Sequence, residues 1–274
     1  MSIEDSHGPE TKERLPIHLE AAVLVRFFSR LPLPQLCSRD DLLRAPDFRQ
    51  MTRALPFATA IIAFPAFLSI AVLGASALPA FLCGIIGCAV GAAVTGSLHE
   101  DGFSDVCDGF FGGATKERRL EIMKDSRIGA FGACGLCLAL LFRVGAIAAL
   151  VNTLSPFWAA YVYLCAEIAS RFAMAVLWAV MPAAYEGGLG SRFGKPSGAA
   201  LYWALAGTVL FLLPLLFAGL GINIVFALTF SIAATFFLKQ LAHIKVGGIT
   251  GDVLGACQQL SLMCFFFGWL LIGG

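Results

Sequence analysis

The chain has 274 residues, 58% hydrophobic and only 14% charged, with a mean hydropathy of +0.82 and a formal net charge of +1. A soluble domain carries about 25% charged residues and about 45–50% apolar ones, and a chain of this size has too little interior to hide so much apolar surface from water. Composition therefore excludes a soluble monomer and a disordered chain, and 19 Lys and Arg against 18 Asp and Glu leave no basic excess for nucleic acid.

What remains is an all-α, polytopic membrane protein, a single integral membrane domain over residues 1–274. Residues 1–16 form a polar, acidic tail with no apolar core ahead of a small-residue cleavage site, so no cleavable signal peptide is expected. Residues 17–34 read as an amphipathic helix from Ile17 to Arg30, stopped by Leu31-Pro32-Leu33-Pro34. It is too short and too charged to span, and its expected place is the membrane surface.

A bilayer core of about 30 Å needs about 20 apolar residues. Seven stretches qualify: Leu55–Gly74, Ala80–Leu98, Ala130–Val151, Pro156–Met181, Ala199–Gly219, Ile222–Leu238 and Val253–Ile272. The nine cysteines are an odd number and lie mostly in these runs. Cys134 and Cys137 have a redox or metal spacing, but their small apolar surroundings favour packing residues.

With the N-terminus inside, segments 1–54, 99–129, 182–198 and 239–252 face the cytoplasm and hold 8, 5, 2 and 2 Lys and Arg, 17 of the 19. The outer connections 75–79, 152–155 and 220–221 hold none. This is the positive-inside pattern, and it puts both the N-terminus and every polar loop in the cytoplasm. A site on the opposite face would have almost no polar groups to use.

The longest inner loop, 99–129, opens His99-Glu100-Asp101-Gly102-Phe103-Ser104-Asp105-Val106-Cys107-Asp108-Gly109. Asp101, Asp105 and Asp108 fall at i, i+4 and i+7, one face of a helix. Like charges on one face repel, and a hard divalent cation such as Mg²⁺ or Mn²⁺, shared with a phosphate, relieves this. The alternative is a solvated acidic cap on the second span. His99 stands between a site residue and an interfacial bystander. Downstream, Lys124, Asp125 and Arg127 suit a diphosphate beside a metal, whereas Lys116, Arg118 and Arg119 read as lipid-headgroup anchors.

Charges inside spans are costly and point to function or to a structural pair. Glu167 and Arg171 lie at i, i+4 in the fourth stretch, and Arg143 in the third could join the same network. The last inner loop, 247–252, offers glycines, the Thr250 hydroxyl and Asp252 at the start of the final span, either for an oxyanion or as an ordinary helix cap. Residue chemistry alone thus describes metal-assisted chemistry on a phosphorylated substrate at a cytoplasmic membrane face.

Three segments in order resemble the cobalamin synthase family, adenosylcobinamide-GDP ribazoletransferase: His99–Gly113 (HEDGFSDVCDGFFGG), Arg118–Gly132 (RRLEIMKDSRIGAFG) and Gly247–Ala256 (GGITGDVLGA). Arg26–Pro34 (RFFSRLPLP) and the Ser170-Arg171 pair also match that pattern. The resemblance implies Mg²⁺-dependent joining of adenosylcobinamide-GDP to α-ribazole or α-ribazole 5′-phosphate, with release of GMP, in a bacterial plasma membrane. It implies Asp101, Asp105, Asp108 and Asp252 as metal ligands, and Asp101, His99 and Asp125 in catalysis. Lys124, Arg127, Arg171 and Thr250 would bind substrate, and other membrane-held enzymes of the pathway are expected as partners. Two departures stand out: Glu100 sits where some relatives carry Leu, and Gln258 and Gln259 where some carry Glu. Neither position is assigned a ligand.

Two other readings were weighed. A CDP-alcohol phosphotransferase needs D-x-x-D-G-x-x-A-R, but after Asp105-x-x-Asp108-Gly109 this chain has Gly112-Gly113 in place of Ala-Arg. A transporter would line a pathway with Arg143, Glu167 and Arg171 and would show internal repeats and helices broken at mid-membrane. Pro65 and Pro214 interrupt spans, but no repeat is evident and the acids gather in loops.

Overall fold

The structure is a computed structural model describing residues 14–272, apart from the side chain of Ser191. Residues 1–13, most of the expected polar tail, lie outside the described residues. Among the described residues the chain is helical, with one isolated parallel bridge, Ala183 to Ile249, and no strand.

The long elements are α3 (Leu55–Gly74), α7 (Ala130–Thr153), α8 (Pro156–Val180), α10 (Gly198–Phe217), α11 (Gly221–Val246) and α12 (Gly251–Leu271). A short helix α2 (Phe48–Met51) and a 3₁₀ turn (Thr52–Ala54) run into α3. These six long elements are apolar enough to cross a membrane, and their outward faces carry large apolar side chains such as Phe64, Leu138, Leu210 and Phe236. In lipid such a surface is satisfied rather than exposed. The helices α8 and α12 are central, with 78% and 72% of their apolar windows buried by protein against 33–39% for the others. Polar side chains on them are therefore shielded from lipid.

The expected second span, Ala80–Leu98, ends early. Helix α4 (Ala80–Thr95) has 16 residues, about 24 Å, and the chain then turns 92° into α5 (Leu98–Gly112). The turn is made by Gly96 and Ser97, both left-handed, with φ of 63° and 58°. Glycine suits the first position on two counts, because a Cβ there would also meet the Arg30 Nε at 2.8 Å. Taken together, α4 and α5 are a bent pair long and apolar enough for a span, which gives seven if the pair is counted as one. The stretch expected as a long loop, 99–129, is thus mostly helix: α5, then α6 (Lys116–Ile122).

The N-terminal helix α1 (Ile17–Phe28) packs closely against the rest of the protein. Eight of its 12 residues are buried, and Leu24, Val25 and Phe28 join Phe48, Met174 and Trp178 in one apolar core. Its charges are paired within the protein: Arg26 forks onto Asp40 at 2.6 and 2.8 Å, and Glu20 takes Arg53 at 2.7 Å. Internal pairing is what lets a charged helix pack on both faces.

The polar segments meet at one end of the bundle. The Arg30 N–H donates to the Val94 carbonyl at 2.7 Å, the Ser197 hydroxyl to the Arg49 carbonyl at 2.6 Å, and Arg119 to the Lys245 carbonyl at 3.0 Å. The short α9 (Leu189–Phe193) lies there too, with Phe193 packed on Phe27. Cys134 and Cys137 are exposed free thiols on α7.

Candidate active site

The site is built where α5 crosses the start of α12. Gly102 and Gly255 make the crossing close. A Cβ on Gly102 would lie 2.9 Å from the Asp252 Cα, and one on Gly255 would lie 3.3 Å from the His99 Cα. The small residues let the backbones touch and bring Asp101 and Asp105 of α5 beside Asp252 in the first turn of α12. Asp101 is exposed and Asp105 half-buried. The Asp105 carboxyl is pushed up to about 7 by burial first and then by the charges of Asp101, Asp252 and Asp108. An oxygen-only cluster that resists ionisation in this way suits a hard cation. Among the described residues no three His, Cys, Asp or Glu side chains form a ready-made metal cage.

Asp108 is engaged elsewhere. Its carboxylate accepts the backbone N–H groups of Gly129 at 2.7 Å and Gly132 at 2.8 Å, at the N-terminus of α7. A side chain at either glycine would run into that carboxylate. Asp108 thus tethers the segment 124–129 to α5 and closes a helix end whose N–H groups favour an anion. Each oxygen expected for metal thus also carries a backbone hydrogen bond.

On that tethered segment, Lys124 acts electrostatically on Asp252 and lies 4.8 Å from the centre of the Tyr185 ring. Asp125 and Arg127 are exposed and paired at 2.7 Å. The Arg127 guanidinium and backbone N–H hold the Asp125 carboxyl down to about 2. Arg119 of α6 donates to the Lys245 carbonyl of α11, and the Lys245 Nζ donates to the Phe110 carbonyl of α5 at 3.0 Å, so α11 is tied to both.

The loop 247–250 is stitched to 182–184 by Ile249 N–H to Pro182 O at 2.9 Å and Ala184 N–H to Ile249 O at 3.0 Å. Gly248 is needed there, because a Cβ would lie 2.7 Å from the Ala183 carbonyl carbon. Thr250 caps α12, accepting the Val253 N–H at 3.2 Å while its hydroxyl donates to Asp252 at 3.2 Å. The cap of α12 is therefore Thr250, not Asp252 as one reading of the sequence had it, and the same hydroxyl bonds Asp252.

His99 and Arg171 face inward. His99 is 3% exposed, stacks on Phe28 at 6.0 Å, and is held down to about 3 by burial and then by Arg171. It is neutral and a weak base. Arg171 pairs with Glu167 inside the bundle, at 1% exposure. The pair belongs to a buried chain. Glu100 takes Arg143 at 2.6 Å, and Arg143 reaches Gln259 at 3.1 Å. Gln259 donates to Gln258 at 2.9 Å, and Gln258 to Glu167 at 3.2 Å and Ser170 at 3.1 Å. Two carboxylates and two guanidiniums cancel, which makes such a network tolerable between spans. Of its members, Glu100, Gln258 and Gln259 carried no assigned role. Adjacent amides in an apolar run are the signal that marks the glutamines, but their partners lie about 90 and 116 residues away.

The model of the family described as cobalamin-5-phosphate synthase matches residues 20–270. Curated relatives named adenosylcobinamide-GDP ribazoletransferase include one from Xanthobacter autotrophicus, 41% identical over 96% of this chain and 98% of its own length. The one from Azorhizobium caulinodans is 37% identical over 92% and 95%, and that from Brucella ovis 35% over 89% and 94%. No solved structure matches. With both the family model and these relatives extending over nearly the whole chain, this protein belongs to the cobalamin-5-phosphate synthase family and is an enzyme of the transferase class.

Proposed function

We propose that the protein joins adenosylcobinamide-GDP to α-ribazole or its 5′-phosphate, releasing GMP, at the cytoplasmic face of a bacterial inner membrane and with Mg²⁺. The acceptor ribose hydroxyl attacks the phosphorus next to cobinamide. A new P–O bond forms, the bond to the GMP phosphate breaks, and the hydroxyl proton leaves with a base. The observation that carries this reading is the meeting of Asp101, Asp105 and Asp252 at the α5–α12 crossing, with Lys124 beside them.

Mg²⁺ held by Asp101, Asp105 and Asp252 would offset diphosphate charge and favour departure of GMP. Lys124 and Arg127 contribute positive charge to the same diphosphate, Arg127 kept in position by Asp125. Asp108 holds their segment in place. His99 or one of the acids would receive the hydroxyl proton.

A turnover assay on detergent-solubilised protein, supplied with adenosylcobinamide-GDP and α-ribazole, tests the reading. We expect GMP and corrinoid product in equal amounts, abolished by EDTA and restored by Mg²⁺. Asp101→Ala is expected to lower kcat by more than about 100-fold in a folded protein. Turnover that survives EDTA, or a fully active Asp101→Ala variant, overturns the metal assignment.

A further inference from the structure

A cleft of 170 Å³ lies between α1, α5, α8 and α12. Asp101 and Asp252, two of the proposed metal ligands, form part of its wall with His99, whose Nε2 has no partner among the described residues, and the rest is largely apolar, with Phe27, Phe28, Met174 and Trp178 prominent. Phe27 is half-buried. Trp178 is 3% exposed, and its indole N–H has no partner among the described residues. A buried indole N–H ordinarily finds an acceptor.

We propose that this cleft is the subsite for the base of the acceptor nucleoside, a flat and mostly apolar heteroaromatic ring placed against Phe27 and Trp178, with the attached ribose reaching Asp101 and Asp252. The inference rests on the reaction proposed above and adds where one substrate sits. Three observations select the occupant. The cleft adjoins the carboxylates, so what enters it is part of a molecule that reacts there. Its size admits a bicyclic ring but not a corrin macrocycle, since even drug-sized ligands occupy about 300 Å³ or more. Its apolar walls would leave the several polar edges of guanine unpaired, a strong penalty, whereas a benzimidazole has one free ring nitrogen to accept a hydrogen bond such as that of Trp178.

The test uses the full chain in detergent and measures KM separately for α-ribazole, whose base is a dimethylated benzimidazole, and for adenosylcobinamide-GDP. Phe27→Leu removes the ring at similar volume and is expected to raise KM for α-ribazole about tenfold, with KM for the donor unchanged within about twofold. Trp178→Phe keeps a ring, loses the N–H and is expected to raise the same KM several-fold. An analogue of α-ribazole bearing a purine should be a worse substrate for the native enzyme, and Phe27→Leu should narrow that preference. Titration of α-ribazole alone should change tryptophan fluorescence in the native protein, and less so in Trp178→Phe. A rise in the donor KM instead, or an unchanged α-ribazole KM in both variants of an active enzyme, overturns the subsite and leaves the reaction standing. Fluorescence-detected binding with no corrinoid product would instead overturn the reaction and leave the subsite.

Discussion

Asp108 shows how one carboxylate in a metal-like pattern can also serve structure. Asp101, Asp105 and Asp108 share a helix face by spacing, but Asp108 lies where α7 begins and accepts two backbone N–H groups. Asp108→Ala would leave both donors unpaired, at about 1–3 kcal/mol each, and a fall in melting temperature of several degrees is expected. Calorimetry in detergent checks the fall, and an Mg²⁺ titration of activity separates the two roles. Loss of a tether is not rescued by excess Mg²⁺, whereas loss of a metal ligand is rescued in part. The residue types of the site were legible from the sequence because hard-oxygen chemistry needs carboxylates. Which carboxylate also holds backbone groups was not, because those partners have no residue signature.

At the scale of elements, the buried chain from Glu100 to Arg171 joins α5, α7, α8 and α12. Breaking one partner of a buried pair strands a charge and costs about 3–5 kcal/mol, while replacing both by neutral groups of similar size is far milder. Arg143→Met and Glu100→Gln are each expected to lower thermal stability strongly, and the double variant to recover most of it. A double-mutant cycle of melting temperatures measures this, and additive losses would refute the coupling. Arg143, Glu167 and Arg171 stood out in the sequence because charges in apolar runs are conspicuous, although their function and their pairing read equally well.

Helix α1 makes the same point from the other side. Its charge pattern suggested a surface helix, and within the protein Glu20 and Arg26 are paired across 33 and 14 residues. The Arg26 guanidinium holds the Asp40 carboxyl below its ordinary value of 3.8. The native state therefore binds this proton less readily than the unfolded chain. The resulting stability is present above pH 3.8 and lost as pH falls through the lower native value. Acid-unfolding curves should show this loss, and Asp40→Asn should be less stable at neutral pH and lack that acid step.

For the whole molecule, the segments carrying 17 of the 19 Lys and Arg converge on one end, as the hydrogen bonds joining 30 to 94, 49 to 197 and 119 to 245 require. In a background without native cysteines, Glu186→Cys is expected to react with an impermeant thiol reagent only from the cytoplasmic side, and Thr153→Cys only from the opposite side. Labelling of both from one side would overturn the topology.

By itself the sequence determined the class of the protein, the positions of its long helices, the polar end and the residue types gathered there. Those follow from apolar run length, from charge placement and from contiguous motifs, all of which are local along the chain. Only the tertiary structure decided that α4 stops at Thr95 and α5 turns across the bundle, that Asp252 meets Asp101 and Asp105 through Gly102 and Gly255, that Arg171 is paired within a buried network, and that His99 borders both that network and the acids. Each of these depends on contacts between residues far apart in sequence, where close approach and burial, rather than residue type, set the role of a side chain.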